Sequence, residues 1–439
     1  MPSPAPGPVE LEPLFTDRSG FAPDGPPHAV VRARTVADVQ RTLAEATRTG
    51  TPVVTRGAGT GLAGGAVAGR DAIVLDVSGL DRILDIDPAD GIARVEPGVI
   101  AADLDRTAAE HGLMYAPDPG SVAICTVGGN VATNAGGLRG AKYGVTRDSV
   151  LALDVVLADG TLLHVGHDTV KGVVGLDLVS LFVGSEGTLG VVVGATVRLL
   201  PRPARVATAV AYFASVTEAA QASIALGAAR VRPAVLELVD GPTLAAIDDL
   251  RGSDHAGLGA ALLLVQTDGF GAGEEIEAVA AVLARTARSV RTTEDPAVAA
   301  DLAAARRDAL PAIEAKGRVL IEDIAVPRSR LAEAVDGVHA IASATGTDIF
   351  VFAHAGDGNL HPIILLPPED LDGLAAHRAA DEIFALALAL GGTVSAEHGV
   401  GLLKHAWLER ELGADVLALQ RRIKQLFDSA GILNPGKAI

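Results

Sequence analysis

Three glycine-dense blocks, far apart in the chain, constrain this sequence more than any other feature. They are RGAGTGLAGGA at 56–66, PDPGSVAICTVGGNVATNAGG at 117–137 and LFVGSEGTLGVV at 181–192. Each adjoins a short β-branched or apolar run, so each predicts backbone brought close to something at a strand end rather than a linker. The first contains Gly59-x-Gly61-x-x-Gly64, the spacing of a dinucleotide fingerprint. Gly65, Gly69 and a new strand from Ile73 leave no room, however, for the long helix that this fingerprint needs at the pyrophosphate. No GxxxxGK(S/T) occurs, which removes a P-loop as well. Two separate loops of nearly bare amides can instead clamp one pyrophosphate from both sides, an arrangement suited to a large dinucleotide such as FAD. The alternative is three unrelated surface turns.

A chain of 439 residues with 49% apolar side chains exceeds what one core usually organises, so two domains are expected. TVADVQRTLAEATRTG has Thr35 as an N-cap, a Val39, Leu43, Ala46 stripe and Gly50 as a stop, which predicts a helix. The runs AIVLDVS, GIARVEPG and LALDVVLADGTLLHV alternate with turn signals, and a helix near 101–111 interrupts them, giving an α+β region. LGVVVGATVRLLPRPAR ends at Pro201 and Pro203, which places a boundary at about 200–206. Beyond it, helices near 216–228, 241–250, 272–288 and 328–345 alternate with strands AALLLVQTD, RVLIEDIAVP and DIFVFAHAG. That alternation suits an antiparallel sheet covered by helices on one side. DVLALQRRIKQLFDSAG reads as an amphipathic helix with Leu419, Ile423, Leu426 and Phe427 inward and Gly431 as its cap.

The net charge of −18, with no basic run, disfavours a nucleic-acid or polybasic membrane surface, so an anionic substrate would need a local cationic site. The opening MPSPAPGPVELEPLF lacks the features of a secretion signal, and no segment offers about 18 uninterrupted apolar residues. A cytoplasmic protein is expected. The single cysteine, Cys125, excludes an internal disulfide and a thiolate-held iron–sulfur cluster within this chain, and it reads as a small buried side chain.

VFAHAGDGNLHPII at 351–364 carries a histidine on each flank of one tight turn. With Asp357-Gly358 at the centre of a type I′ turn, His354 opposes His361 and the imidazoles converge on one face. Glu397 in GGTVSAEHGVG is a candidate third ligand, with His398 beside it. Two histidines and one carboxylate leave coordination positions open, a catalytic rather than structural arrangement. The alternative is a histidine pair satisfied by water and backbone. A hydrogen-bonded core residue is the lesser reading of His398, and Asn359 reads as a turn former or a substrate contact.

VVTRGAGTGLAGGA, DPGSVAICTVGGNVATNAGGLRGAKYG and DLVSLFVGSEGTLGVV resemble the three flavin-cradling segments of the FAD-linked oxidase superfamily with the vanillyl-alcohol-oxidase-type FAD domain. With HAGDGNLH and AEHG, the chain from about 28 to 439 resembles the group of bacterial glycolate oxidase catalytic subunits, D-lactate dehydrogenases and D-2-hydroxyglutarate dehydrogenases. The resemblance implies an α+β fold: a lead segment at 1–27, a two-subdomain FAD-binding domain at 28–203, and a substrate (cap) domain of antiparallel sheet plus helices at 204–439, whose C-terminal tail returns to the flavin. It implies that Arg56, Gly57, Ala58, Gly59, Thr60, Gly61, Leu62, Pro117, Gly120, Ser121, Thr126, Gly128, Gly129, Thr133, Asn134, Gly137, Tyr143, Gly144, Glu186, Gly190, Val191 and, in the closing ILNPGK, Asn434 bind the cofactor. Relatives with covalent flavin carry a histidine where this chain has Thr60, so dissociable FAD is implied.

The same resemblance makes His354, His361 and Glu397 ligands of a divalent metal, Zn²⁺ or Mn²⁺, and His398 the active-site base. ADLAAARRDALPA is similar to the segment whose arginine grips a substrate carboxylate, which is Arg306 here; a solvated helix face is the other reading. Lys171 is either an aid at the flavin edge or a surface lysine. Ala303 stands where many relatives have tryptophan, and Ile321 where the hydroxyglutarate enzymes have lysine, so a short monocarboxylate such as glycolate or D-lactate fits better than a dicarboxylate. The implied activity is oxidation of a small D-2-hydroxy acid to the 2-oxo acid. Electrons would pass to oxygen, a quinone, a carrier flavoprotein or a separate iron–sulfur subunit, with peripheral membrane association through such a partner and a homodimer left open. A second class remains, a non-redox transferase of the alkylglycerone-phosphate synthase type.

Overall fold

The structure is a computed structural model that describes residues 14–366 and 373–439; the beginning of the lead segment lies outside the described residues. The chain divides into two compact units. Met1–Gly137, Gly144–Arg202 and Glu397–Ile439 form the first, and Leu138–Tyr143 with Pro203–Ala396 form the second.

The first unit holds a three-stranded parallel sheet in the order Ala29–Arg32, Ile73–Asp76, Val53–Arg56. The helix Val36–Thr49 buries Val39, Leu43 and Ala46 in the same core. Thr35 and Asp38 form the reciprocal capping box that the sequence announces, and Gly50 ends the helix at φ 69°. A second, antiparallel sheet runs Ile83–Asp87, Ile92–Val95, Val191–Arg198, Val150–Val156, Leu162–Gly166. Its core takes in Leu104 and Ala108 of the helix Ala101–Ala109, together with Cys125, whose thiol pKa burial raises. The C-terminal return joins this unit where Leu433 bridges Val53.

The C-terminal helix, Ala414–Phe427, turns only part of the expected face inward. Leu417 is buried and Ile423 and Phe427 pack on the core, whereas Leu419 and Leu426 are exposed. Two apolar stripes overlap here, and the inner one is fixed by Lys424, whose Nζ bonds the Thr188 and Leu433 carbonyls at 2.8 and 2.7 Å. Leu426 lies one residue, about 100° of rotation, from Phe427. The helix stops at Phe427 rather than running on to Gly431, because Asp428 accepts from the amides of Ile432 and Leu433.

The second unit is built on an eight-stranded sheet. Its strand order is Ser289–Thr293, Val206–Phe213, Ala261–Asp268, Val235–Asp240, Ile349–His354, Asn359–Leu365, Val319–Ile321, with Ile324–Ala325 also pairing to Asn359–Leu365. Helices cover both of its faces, not one. Val239, Phe350, Phe352 and Ile363 pack with Leu244, Ile247, Ala305 and Ala309 of the helices Gly241–Arg251 and Ala304–Glu314. The alternate residues Leu238, Val351 and Ala353 are buried as well. Near-continuous apolar runs such as AALLLVQTD are the signature of strands buried on both faces. Among the described residues, no helix is long and apolar enough to cross a membrane.

Candidate functional site

In the first unit the three glycine segments meet. A Cβ on Gly57 would strike the Thr126 hydroxyl, which ties the first block to the second. Gly184 N and Glu186 N donate to the carbonyls of Val131 and Ala132, each at 2.8 Å, which ties the third to the second. Thr126 caps the short helix Val127–Thr133, which ends at Asn134 with φ 53°. No helix follows the first block, so the fingerprint spacing of Gly59, Gly61 and Gly64 marks a turn system. Among the described residues, the amides of Gly57, Ala58, Gly59 and Thr60 donate to no carbonyl or side chain. Consecutive amides without a protein acceptor form a nest for anionic oxygen, which fits the pyrophosphate of a dinucleotide.

Arg56, at the entry to this loop, is buried and turns its guanidinium onto the carbonyls of Thr16 and Ala58; burial pulls its pKa below the ordinary arginine value. Gly190 and Val191 are packed into the unit, the one against Val155 and the other in the core beneath the parallel sheet. Gly137 sits against Asp118, Gly144 has φ 80°, and Pro117, Gly128 and Thr133 lie in the second block. Gly120 and Lys171 are exposed, Lys171 in a loop that also exposes Val173 and Leu176.

The C-terminal return is latched to this cradle. Glu186, with φ 50°, accepts the amides of Val400 and Gly401 at 2.7 and 2.9 Å. Burial raises its carboxyl pKa, against the opposing pull of those two hydrogen bonds. Asn434 Nδ2 donates to the carbonyls of Glu186 at 2.7 Å and Gly65 at 3.0 Å. Lys437, which sequence reasoning missed, is buried and donates to Gly65 O, Val67 O and Asn434 Oδ1; burial pushes its pKa down to about 8. The same return brings in Glu397 and His398. A Cβ on Gly136 would lie 2.6 Å from Glu397 Oε2, which places that carboxylate against the second glycine block, and His398 Nε2 stands 3.9 Å from Glu397 Oε1.

In the second unit the hairpin register differs from the expected one. His354 pairs with Asn359 and Phe352 with His361. The connection is the four residues Ala355–Gly358, of which Gly358 alone has positive φ, whereas a type I′ turn needs it at Asp357 too. The register therefore slips by two residues. Because the side-chain period is two, that slip leaves both histidines on one face as diagonal neighbours. Their ring centroids are 5.0 Å apart at 86°, and they offer ring nitrogens within 4.8 Å of each other.

The same face carries a buried polar chain. Glu237, paired with His354 in the sheet, accepts from His354 Nδ1 at 2.6 Å and from Arg306 Nε at 2.7 Å. The guanidinium lies 4.3 Å from the Phe352 ring centre. Asn359 Oδ1 is buried with no hydrogen-bond partner among the described residues, an orphaned acceptor beside His354 that fits a bound polar group. Tyr143 belongs to this unit, where its hydroxyl donates to Asp268 at 2.7 Å. Glu237 was not singled out in the sequence. Its only signal there is an acidic residue amid the apolar run VLELV.

The nest and glycine loops of the first unit fit a dinucleotide cofactor, and similarity to known proteins makes the chain an FAD-linked oxidoreductase. The chain belongs to the FAD-linked oxidases: residues 202–438 match the family model for the FAD linked oxidases, C-terminal domain, and residues 27–166 that for an FAD binding domain. The resemblance carried by the glycine segments and histidine motifs is borne out. The glycolate oxidase subunit GlcD of Bacillus subtilis (strain 168) is 41% identical over 416 residues, 94% of this chain and 88% of that protein. A D-lactate dehydrogenase of Anaerostipes hadrus is 33% identical over 427 residues, 94% of this chain and 89% of that protein. The structure of p-cresol methylhydroxylase with substrate bound shares the fold, with TM-score 0.79 at 19% identity over 98% of this chain and 92% of that one.

Proposed function

We propose that the protein oxidises a small D-2-hydroxy acid, of the glycolate or D-lactate type, to the 2-oxo acid and delivers the electrons to a separate acceptor. The observation that carries this reading is the Arg306–Glu237–His354 chain beside His361, in a family with a glycolate oxidase subunit and a D-lactate dehydrogenase among this chain's relatives. Arg306 receives the substrate carboxylate through its Nη groups, since Nε is engaged by Glu237. Ala303 and Ile321 pack on the apolar cluster next to it, an environment suited to a short substrate without a second carboxylate.

His354, His361 and Glu397 would hold a divalent metal, Zn²⁺ or Mn²⁺, which would lower the pKa of the substrate hydroxyl. Glu397 follows Ala396, whose amide is held by Asp323 Oδ2 at 2.6 Å. FAD held without a covalent link would supply the acceptor for the hydride leaving C2. His398 takes the hydroxyl proton as the carbonyl forms, a contribution of about 10²–10⁴-fold. Asn359 Oδ1 accepts a hydrogen bond from the substrate or its bound water. The one cysteine cannot hold a cluster, so an iron–sulfur acceptor would sit on another subunit.

The test is a panel of 2-hydroxy acids with a redox dye, run on metal-replete and chelated FAD-loaded protein. Dye reduction by glycolate or D-lactate, lost on chelation and restored by metal, is expected. No turnover of any 2-hydroxy acid by the replete protein would refute the reading.

A further inference from the structure

We propose that Glu237 is a positioning residue that fixes, through one carboxylate, both the guanidinium of Arg306 and the tautomer of His354. The idea rests on the roles assigned above to those two residues. A carboxylate in the middle of an eight-stranded sheet, with no exposure, is tolerated only when both oxygens are compensated. Here Oε2 accepts from Arg306 Nε at 2.7 Å and Oε1 from His354 Nδ1 at 2.6 Å.

A carboxylate can only accept, so the second bond places the imidazole proton on Nδ1 and the lone pair on Nε2, the form in which histidine ligates a metal. The first bond, with the Phe352 ring 4.3 Å from the guanidinium carbon, sets the plane in which the Nη groups point. The two functions are thereby coupled through one residue. Lost carboxylate character must disturb at least one of them, because two donors need two acceptors.

Glu237→Gln offers one oxygen and an NH₂ group, so one donor is left facing a donor. Glu237→Asp keeps both oxygens but withdraws them by a methylene. Wild type and both variants, loaded with FAD, are compared for KM and limiting rate with glycolate and D-lactate, for Zn²⁺ and Mn²⁺ retention against a chelator series, and, without metal, for the ring ¹⁵N shifts of His354. Flavin absorbance reports whether each protein keeps its cofactor.

Glu237→Gln is expected to keep FAD, to raise KM at least about tenfold, to weaken metal retention about 10–100-fold, and to move the His354 proton off Nδ1. Glu237→Asp should fall between it and wild type. Unchanged KM, metal retention and ring shifts in Glu237→Gln would overturn the proposal. So would loss of FAD in Glu237→Gln alongside a Glu237→Asp protein that matches wild type throughout, since that pattern marks a purely structural residue. A wild type that retains no metal and is not reduced by hydroxy acids would defeat the proposed function instead. The ring shifts of the metal-free proteins would still decide the role of Glu237.

Discussion

In the first unit the groups that meet are mostly backbone: the amides of Gly57 to Thr60 donate to no acceptor among the described residues, Glu186 of the third block accepts two amides of the return, and Lys437 of the return donates to the carbonyls of Gly65 and Val67. In the second, Glu237, Arg306, His354 and His361 meet on a sheet face as side chains, and backbone serves only to set their register. The first arrangement recognises shape and charge through groups every residue possesses, so it depends on what is missing at each Cα. The second depends on what each side chain carries and on pairing correct to within an even number of residues.

The contrast can be broken at several points. His398→Asn should have the largest effect, slowing hydroxy-acid-dependent flavin bleaching by about 10²–10⁴-fold in stopped flow while FAD content stays constant. Arg306→Lys comes next. It loses the Nε bond to Glu237 and the planar fork, and should raise KM about 10–100-fold with FAD retention unchanged. Gly57→Ala probes the backbone arrangement instead: its Cβ meets the Thr126 hydroxyl, so denaturant titration should register about 1–3 kcal/mol and FAD should wash out.

The smallest effect lies in the C-terminal latch. The buried Lys437 has its pKa pushed down to about 8 from the ordinary value of 10.5. Below about pH 8 folded and unfolded chains both hold the proton; between about 8 and 10.5 only the unfolded chain does. Stability should therefore rise with pH, by about 1 kcal/mol between about pH 8 and 9. Lys437→Met should lack that rise in parallel urea titrations.

Legibility in the sequence followed the same division. The glycine blocks could be read because a nest is local: Gly57 to Gly61 announce themselves within one turn. The histidine pair could be read as one face, because an error of two residues in register preserves facing. The register itself could not, since it depended on the φ of Asp357. Leu419 and Leu426 misled because two helical stripes of similar apolarity overlap, and only Lys424 with its carbonyl partners chooses between them. Glu237 was hidden for a different reason. A buried acid in a strand becomes meaningful only when residues 69 and 117 positions away arrive as its partners.

The proposed oxidation requires FAD and the His354–His361 pair together. Anaerobic mixing of FAD-loaded protein with glycolate or D-lactate, following flavin absorbance in wild type and in His361→Ala, each with and without added Zn²⁺ or Mn²⁺, decides whether it does. Rapid bleaching is expected only in metal-replete wild type. Equal bleaching in all four samples would contradict it.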